Sequence, residues 1–447
     1  MDIVICGAGE VGRHSAEVLS AMGHDITIID REAEKLAILD EELDIGNLLG
    51  SGTEAEVLIE AGVPEADLFV AATRIDEINL LSGAIAKGLG ARKVIARVHH
   101  SAYFDERGYA YSEKLGIDHL VCPDHTTATA IAQTLRSPGA LAVERFARGK
   151  IEIQELAVDP DRRVVGKTLV DMRMPASARV AAISRQGESF MPTGQTRIEA
   201  GDVITLIGES GAFEKARSLF HSEPPDRSRI AVMGGTPLGV WLCRALHHRR
   251  FTVRLFETDR ARCDELAEKL DWITVLHADA TGQTILDEEH IEQVDAFVAL
   301  THDDEVNILA AARAKSIGVK EAIAVLQRPT YLHLLEHVGI DRAFSPRVTA
   351  VTQIQQLLDD TPVKKLASLA AGVADVFEVK VRCPVAGVVN VPLKDVEFPH
   401  QCLVAGIQRE KQVKVPGAQD RIEVGDTLVI IGPAGLFRAL NKMFATT

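Results

Sequence analysis

The sequence predicts an α/β protein made of two doubly wound parallel-sheet lobes, each followed by a small α+β lobe. Three observations carry this expectation. The second half of the chain repeats the first. Within each long repeat, short β-branched runs alternate with helix-period segments, the pattern of a parallel sheet covered on both faces. A glycine-rich turn joins the first strand to the first helix of the first copy and survives in altered form in the second.

The repeat fixes the order of elements. Asp2-Ile-Val-Ile-Cys-Gly-Ala-Gly-Glu-Val-Gly12 aligns with Arg229-Ile-Ala-Val-Met-Gly-Gly-Thr-Pro-Leu-Gly239. At the same offset Ile26-Thr-Ile-Ile-Asp30 falls on Val253-Arg-Leu-Phe-Glu257. One inserted residue later, Phe69-Val-Ala-Ala-Thr-Arg-Ile-Asp-Glu-Ile-Asn79 matches Phe297-Val-Ala-Leu-Thr-His-Asp-Asp-Glu-Val-Asn307. A match that survives several intervening elements marks a duplicated unit. In the first copy, strands are predicted near 2–6, 26–30, 68–72 and 93–98, and helices near 11–22, 31–42, 53–61 and 77–88. The small lobes repeat as well. Ala182-Ile-Ser-Arg185 and Ile198-Glu-Ala-Gly-Asp202 match Gly406-Ile-Gln-Arg409 and Ile422-Glu-Val-Gly-Asp426, with a last helix expected near Gly211 and Gly435. The predicted domains are residues 1–136, 140–224, 228–358 and 365–447. Turn-rich stretches divide them: Ser137-Pro138-Gly139, Glu223-Pro224-Pro225-Asp226 and Asp359-Asp360-Thr361-Pro362.

Gly7-x-Gly9-x-x-Gly12, between a strand and a helix, is the context of the dinucleotide fingerprint, so the large lobes are expected to be Rossmann-like. Gly7 permits the tight turn, Gly9 lets pyrophosphate approach the backbone, and Gly12 lets the helix pack on the strand. The turn Gly7, Ala8, Gly9, Glu10, Val11, Gly12 would present free amides and the positive helix end to phosphate. Asp30 ends the next strand, where a carboxylate accepts from ribose hydroxyls and repels a 2′-phosphate, favouring NAD over NADP. Ser51 and Thr53 form a small polar turn able to border base or ribose. Thr73 and Arg97 end further strands, Arg97 as a phosphate partner or else a surface ion pair. Asp76, Glu77 and Asn79 read as capping or lining groups, with Asn79 facing the ligand or a neighbouring subunit.

The second large lobe departs from this pattern. It keeps Gly234, Gly239, the carboxylate of Glu257 and Thr301, and has Asp279 where Ser51 stood. Thr236 replaces the middle glycine and Val325 stands in place of Arg97. A Cβ at Thr236 crowds the closest approach of pyrophosphate. The site either takes a smaller or differently posed nucleotide or has become structural. Arg313 and Lys315 are alternative sources of phosphate charge, or solvated helix positions.

Composition narrows the function. A net charge of −15 repels phosphate backbones and anionic membranes, and only 4% aromatic residues leaves little for base stacking, so no nucleic-acid partner is expected. No run approaches the roughly 20 apolar residues of a membrane span. The N-terminus opens into a strand without a basic or cleavage region, and the six scattered cysteines read as reduced core residues; both suggest the cytoplasm. Each small lobe is short for a substrate domain and carries no cluster of titratable groups, so no catalytic residue is expected. His333-Leu-Leu-Glu336-His337 fits a zinc pattern, but the first copy has Asp105 and Tyr109 at the histidine positions, and no metal is expected. Gly166-Lys-Thr168 lacks the first glycine of a phosphate loop, having Asp161 there. A binding lobe without chemistry reads as a sensor, with a soluble NAD-dependent oxidoreductase and a ligand-free scaffold as rivals.

Together these motifs resemble the RCK (KTN) domain family. The resemblance rests on Gly7 to Gly12, Asp30, Gly50-Ser-Gly-Thr53, Thr73 to Asn79, Ile95-Ala-Arg97 and the Leu115-Gly-Ile-Asp…Cys122-Pro123 passage. The small lobes, with Arg185…Pro192…Asp202 and Arg409…Pro416…Asp426, resemble the RCK C-terminal domain. Tandem copies of both resemble the regulatory subunits of bacterial Trk-type potassium uptake systems. The resemblance implies NAD(H) at Gly7, Gly9, Gly12, Asp30, Thr73 and Arg97, with ATP or ADP at the same or the second site. It implies a cytoplasmic homo-oligomeric ring, expected as a tetramer. That ring would be peripheral to the inner membrane and docked under an integral membrane potassium transporter subunit of the TrkH type. The helix after Pro123 (Asp124 to Leu135) and its repeat after Pro346 are candidates for subunit crossover and assembly.

Overall fold

The computed structural model describes residues 1–104, 109–136, 140–146, 151–175, 177–186, 188–221, 227–328, 330–331, 338–358, 361–369, 374–399, 402–410, 412–433 and 435–444. The first large lobe has six parallel strands: β1 (Asp2–Cys6), β2 (Asp25–Asp30), β3 (Gly46–Leu49), β4 (Leu68–Ala71), β5 (Lys93–Arg97) and β6 (His119–Val121). Their order is β3-β2-β1-β4-β5-β6, which reverses between β1 and β4, the place where open α/β sheets bind ligands. Helices α1 (Glu10–Ala21), α2 (Ala33–Glu42), α3 (Ala55–Glu60), α4 (Asp76–Leu89), α5 (Ser101–Phe104), α6 (Tyr111–Leu115) and α7 (Pro123–Arg136) alternate with the strands. Ile3, Val4, Ile5 and Cys6 are all buried, because helices cover both faces of β1.

The first small lobe is antiparallel, with β7 (Ala140–Phe146), β8 (Ile151–Ala157), β9 (Ala178–Arg185), β10 (Glu188–Phe190) and β11 (Val203–Glu209) in the order β10-β9-β11-β8-β7. Helix α8 (Ser210–Phe220) follows, and its buried Phe213 and Phe220 join the lobe's core.

The second large lobe repeats the first. Strands β12 (Ser228–Met233), β13 (Phe251–Glu257), β14 (Thr274–His277), β15 (Ala296–Ala299), β16 (Glu321–Val325) and β17 (Arg342–Phe344) take the order β14-β13-β12-β15-β16-β17. Its described helices are α9 (Pro237–Ala245), α10 (Arg260–Lys269), α11 (Gln283–Glu288), α12 (Asp304–Ser316) and α13 (Pro346–Leu358). The second small lobe arranges β18 (Val363–Leu369), β19 (Ala374–Lys380), β20 (Leu403–Arg409), β21 (Gln412–Lys414) and β22 (Thr427–Pro433) as β18-β19-β22-β20-β21, closed by α14 (Phe437–Phe444). The α/β class and both doubly wound sheets are as the sequence predicts.

Packing pairs like with like. One compact unit combines residues 1–132 with 226–358, both large lobes; the other combines 133–225 with 359–447, both small ones. In the large-lobe unit, α13 leaves its own sheet and packs on α1 and β6 of the first lobe. Ala350, Ile354 and Leu358 enter a core with Ile3, Ile5, Val11, Leu19 and Ile95. Burying such an Ile or Leu stabilises by about 1.5–3 kcal/mol each. The crossover expected between subunits at the Pro346 repeat therefore links two lobes of one chain. The small lobes fuse likewise: Ile151, Ile153 and Ile207 of one share a core with Val376, Val429 and Ile431 of the other. Gly406 permits this approach, since a Cβ there would lie 1.9 Å from Ile151 Cδ1.

Candidate functional site

The first glycine turn is built by contacts that only glycine allows. Gly7 has φ +107° and donates its amide to Ile29 O at 2.8 Å; a Cβ there would press on the Thr73 backbone. A Cβ on Gly12 would lie 1.8 Å from Gly7 O, so glycine sets the spacing of α1 on β1. Gly9 differs. A Cβ there would meet no atom within 4 Å, so the turn faces open space. Gly9 is also the N-cap of α1, and no side chain caps the helix, which leaves first-turn amides unclaimed by any capping side chain.

The second turn keeps the shape but carries a side-chain cap. Gly234 has φ +115°, and a Cβ on Gly239 would lie 2.4 Å from Gly234 O. Here Thr236 is the N-cap. Its hydroxyl accepts from Gly239 N at 3.2 Å and donates to Leu300 O at 3.2 Å. The side chain thus satisfies a first-turn amide of α9.

The carboxylates at both strand ends hold their turns. Asp30 Oδ2 accepts from Ala8 N at 2.6 Å and Oδ1 from Glu32 N at 2.9 Å. Each oxygen retains a lone pair for a further donor. Glu257 accepts from the amides of Gly235, Thr258 and Asp259 at 2.7, 2.7 and 2.9 Å. Burial works against its charge, but these amides, Asp259 foremost, outweigh it and hold the carboxyl below its usual range.

Asn79 is a correction to the sequence reading. It is fully buried and faces neither ligand nor neighbour. Its Oδ1 accepts from Thr73 N and Oγ1 at 2.8 and 2.6 Å, and its Nδ2 donates to Thr73 O and Arg97 O at 3.0 and 2.9 Å. It clamps the ends of β4 and β5. Asn307 repeats the clamp on Thr301 and Val325 at 2.8–3.0 Å. Asp76 likewise ties α4 to the end of β5, accepting from His99 N, His99 Nδ1 and His100 N at 2.8–3.0 Å. Burial opposes its charge, yet the hydrogen bonds from His99 and His100 prevail and lower its pKa.

These ends open into a cleft of about 520 Å³ shared by both large lobes. Gly9, Glu10, Val11 and Arg97 line it from the first lobe, and Thr236, Thr301 and Arg347 from the second. Arg97 Nε is buried without a hydrogen-bond partner among the described residues. Burial pushes the Arg97 guanidinium down, against the pull of Asp124, Asp76 and Cys122, and pushes the Asp124 carboxyl up, against His99, Arg97 and His302. Burial therefore penalises both charged forms. Arg347 reaches across the lobes to form an ion pair with Glu10 in the first glycine turn. The cleft thus brings cations from both lobes to an uncapped helix start, the setting that suits an anion.

Other expected positions stand apart from the cleft. Gly7, Gly12 and Asp30 shape the turn. Ser51 Oγ and Thr53 Oγ1 bond each other at 2.9 Å, and Asp279 Oδ1 accepts from Thr281 N and Oγ1 at 2.9 and 2.7 Å. Arg313 bonds Thr281 O, and Lys315 pairs with Asp341, so neither supplies charge to the cleft. The His333…His337 pattern lies outside the described residues, among which no group of three His, Cys, Asp or Glu is placed to hold a metal. Nor is any described helix long and apolar enough to cross a membrane. Sequence reasoning missed Arg74, His99, Asp124, His302 and Arg347, which also line the cleft. Arg74 follows β4 and was legible by the strand-end rule; Arg347 was not, because only packing brings it to Glu10.

Fold and cleft define a class: a tandem dinucleotide-fold protein whose two large lobes share one anion-suited cleft. The TrkA-N domain model matches residues 3–123 and 230–346, and the TrkA-C domain model matches 153–221 and 378–445. The chain belongs to the TrkA family. It is 32% identical over 452 residues to the "Trk system potassium uptake protein TrkA homolog 2" of Methanosarcina mazei, covering 99% of this chain and 100% of that one. It is 34% identical over 437 residues to the "Trk system potassium uptake protein TrkA" of Haemophilus influenzae, covering 96% and 95%. Among solved structures, the "GsuK channel bound to NAD" shares the fold with a TM-score of 0.64 at 17% identity, covering 99% of this chain and 79% of that one.

Proposed function

We propose that the chain is a nucleotide-sensing regulatory subunit of a membrane potassium transporter, binding NAD(H) in the first large lobe. One observation carries this: α1 starts uncapped at Gly9, beside open space, in a cleft where Arg97 Nε has no hydrogen-bond partner among the described residues. The TrkA homologues, named for potassium uptake, support the transport role, and a channel of like fold bound to NAD supports the ligand. In this reading Gly7, Ala8, Gly9, Glu10, Val11 and Gly12 cradle phosphate, Asp30 accepts from ribose, Ser51, Thr53 and Thr73 border the adenosine side, and Arg97 meets phosphate charge. Residues 1–136, 140–224, 228–358 and 365–447 are the four domains.

The second site, with Gly234, Gly239, Glu257, Asp279 and Thr301, takes ATP or ADP only in a pose that leaves the Thr236 cap in place. The Glu10–Arg347 ion pair supplies the coupling. An anion at the first turn competes with Glu10 for Arg347 and so changes how the two large lobes hold each other. A ligand shifts a conformational equilibrium only through such a difference in affinity between states. Four chains in a ring, peripheral to the membrane beneath a TrkH-type partner, would sum these differences. Binding, and no turnover, is the proposed role of the cofactor.

Calorimetric titration with NADH, NAD, ADP and ATP tests the reading. NADH should bind saturably to the wild type and at least tenfold more weakly to Asp30→Ala and Gly9→Val. Absence of binding by any of the four would leave a scaffold.

A further inference from the structure

The chain contains only two tryptophans, and both line one cavity outside the cleft. The cavity holds about 730 Å³ and is walled by Trp241, Arg244, His247, Lys269 and Trp272, with Ser101 and Ala102 at its edge. A second space of about 360 Å³ shares Trp241, Arg244 and Lys269 and adds Arg262 and Glu265. Trp241 and Arg244 stand three residues apart on α9, so both project from one helix face. Arg244 Cζ lies 5.7 Å from the Trp241 ring centre. The His247 ring stacks on Trp272 at 4.2 Å and 14°, fixing that indole. Trp272 Nε1 is buried without a hydrogen-bond partner among the described residues.

The charge is one-sided. Arg244, Arg262 and Lys269 face these spaces against one carboxylate, Glu265, which bonds Arg262 and Lys269 at 2.5 Å each. In a chain of net charge −15, two indoles beside surplus cations form an unusual surface. Indole faces attract flat rings, and guanidinium and ammonium groups attract phosphate. The volume lies within the range of small-molecule sites.

We propose that this cavity binds a second small ligand of the nucleoside monophosphate class, independently of the glycine turn. The base lies against the tryptophans, and the phosphate meets Arg244 and Lys269. The tryptophans and the cations belong to the second large lobe, whose own glycine turn is capped by Thr236. The lobe would then sense a metabolite through a different face.

Because both tryptophans line the cavity, the intrinsic emission of the full chain reports on it directly. Titration with AMP is expected to change that emission saturably, and equally in Gly9→Val. Arg244→Glu and Lys269→Glu, at exposed positions, should each weaken the response by about tenfold or more. Trp272→Ala, which removes one of the two rings, should weaken the response read from Trp241. Ribose 5-phosphate should bind at least tenfold more weakly than AMP. Three outcomes overturn the proposal: no saturable change with AMP, a change lost in Gly9→Val but kept in Arg244→Glu, or equal binding of AMP and ribose 5-phosphate.

Discussion

Asn79 and Asn307 show how one buried amide joins two strand ends. Each satisfies its oxygen and its nitrogen entirely on backbone and threonine groups of its own lobe. Asn79→Ala would strand Thr73 N and Arg97 O without partners, a cost of about 1–3 kcal/mol per buried group. Chemical denaturation should show that loss, and Asn307→Ala should show a similar one. Asp76 gives a pH-dependent counterpart. Its folded pKa lies below its ordinary value, so its contribution is present above that value and disappears as pH falls through the folded pKa. Asp76→Asn should therefore be less stable than wild type at pH 7, by about 1–3 kcal/mol, with the gap closing below about pH 4. Thermal melts across that window decide it. In the small lobes, Arg185 on Asp202 and Arg409 on Asp426 are two-pronged pairs at 2.8–2.9 Å with the carboxylates buried. The repeated Arg…Glu-x-Gly-Asp pattern is thus a structural staple.

Among elements, the contrast lies in how α1 and α9 begin. Gly9 leaves α1 uncapped, while Thr236 caps α9 and draws on Gly239 N. Thr236→Ala should cost about 1 kcal/mol of stability, measurable by denaturation. Gly12→Ala should do more harm, because its Cβ meets Gly7 O and α1 must move off β1. A cost of about 1–3 kcal/mol and loss of NADH binding are expected. Two strands escaped the sequence reading, for physical reasons. Strand β3 is a mostly exposed edge beginning Gly46-Asn47, and β6 has three residues, so neither shows a buried β-branched run.

The large-lobe unit is built from two separated stretches of chain, and its cleft needs both. Arg347→Glu, a change in the second lobe, should weaken NADH binding to the first by about tenfold in calorimetry, since it replaces a cation beside the turn with an anion. A fragment of residues 1–136 should be markedly less stable than the whole chain, because it lacks Ala350, Ile354 and Leu358 in its core. Circular dichroism melts of the two would test this.

The sequence alone determined the duplication, the two doubly wound sheets, the glycine turns and the carboxylates at Asp30 and Glu257. These follow from local periodicity and from backbone positions where glycine is sterically required. It also marked Thr236 as the departure of the second turn from the first, because a Cβ is visible in the sequence. Only the tertiary structure decided that Asn79 is a clamp, that α13 crosses onto the first lobe, and that Arg347 meets Glu10. Which distant side chains share a cleft depends on how two sheets pack, and packing is a property of complementary surfaces rather than of spacing along the chain.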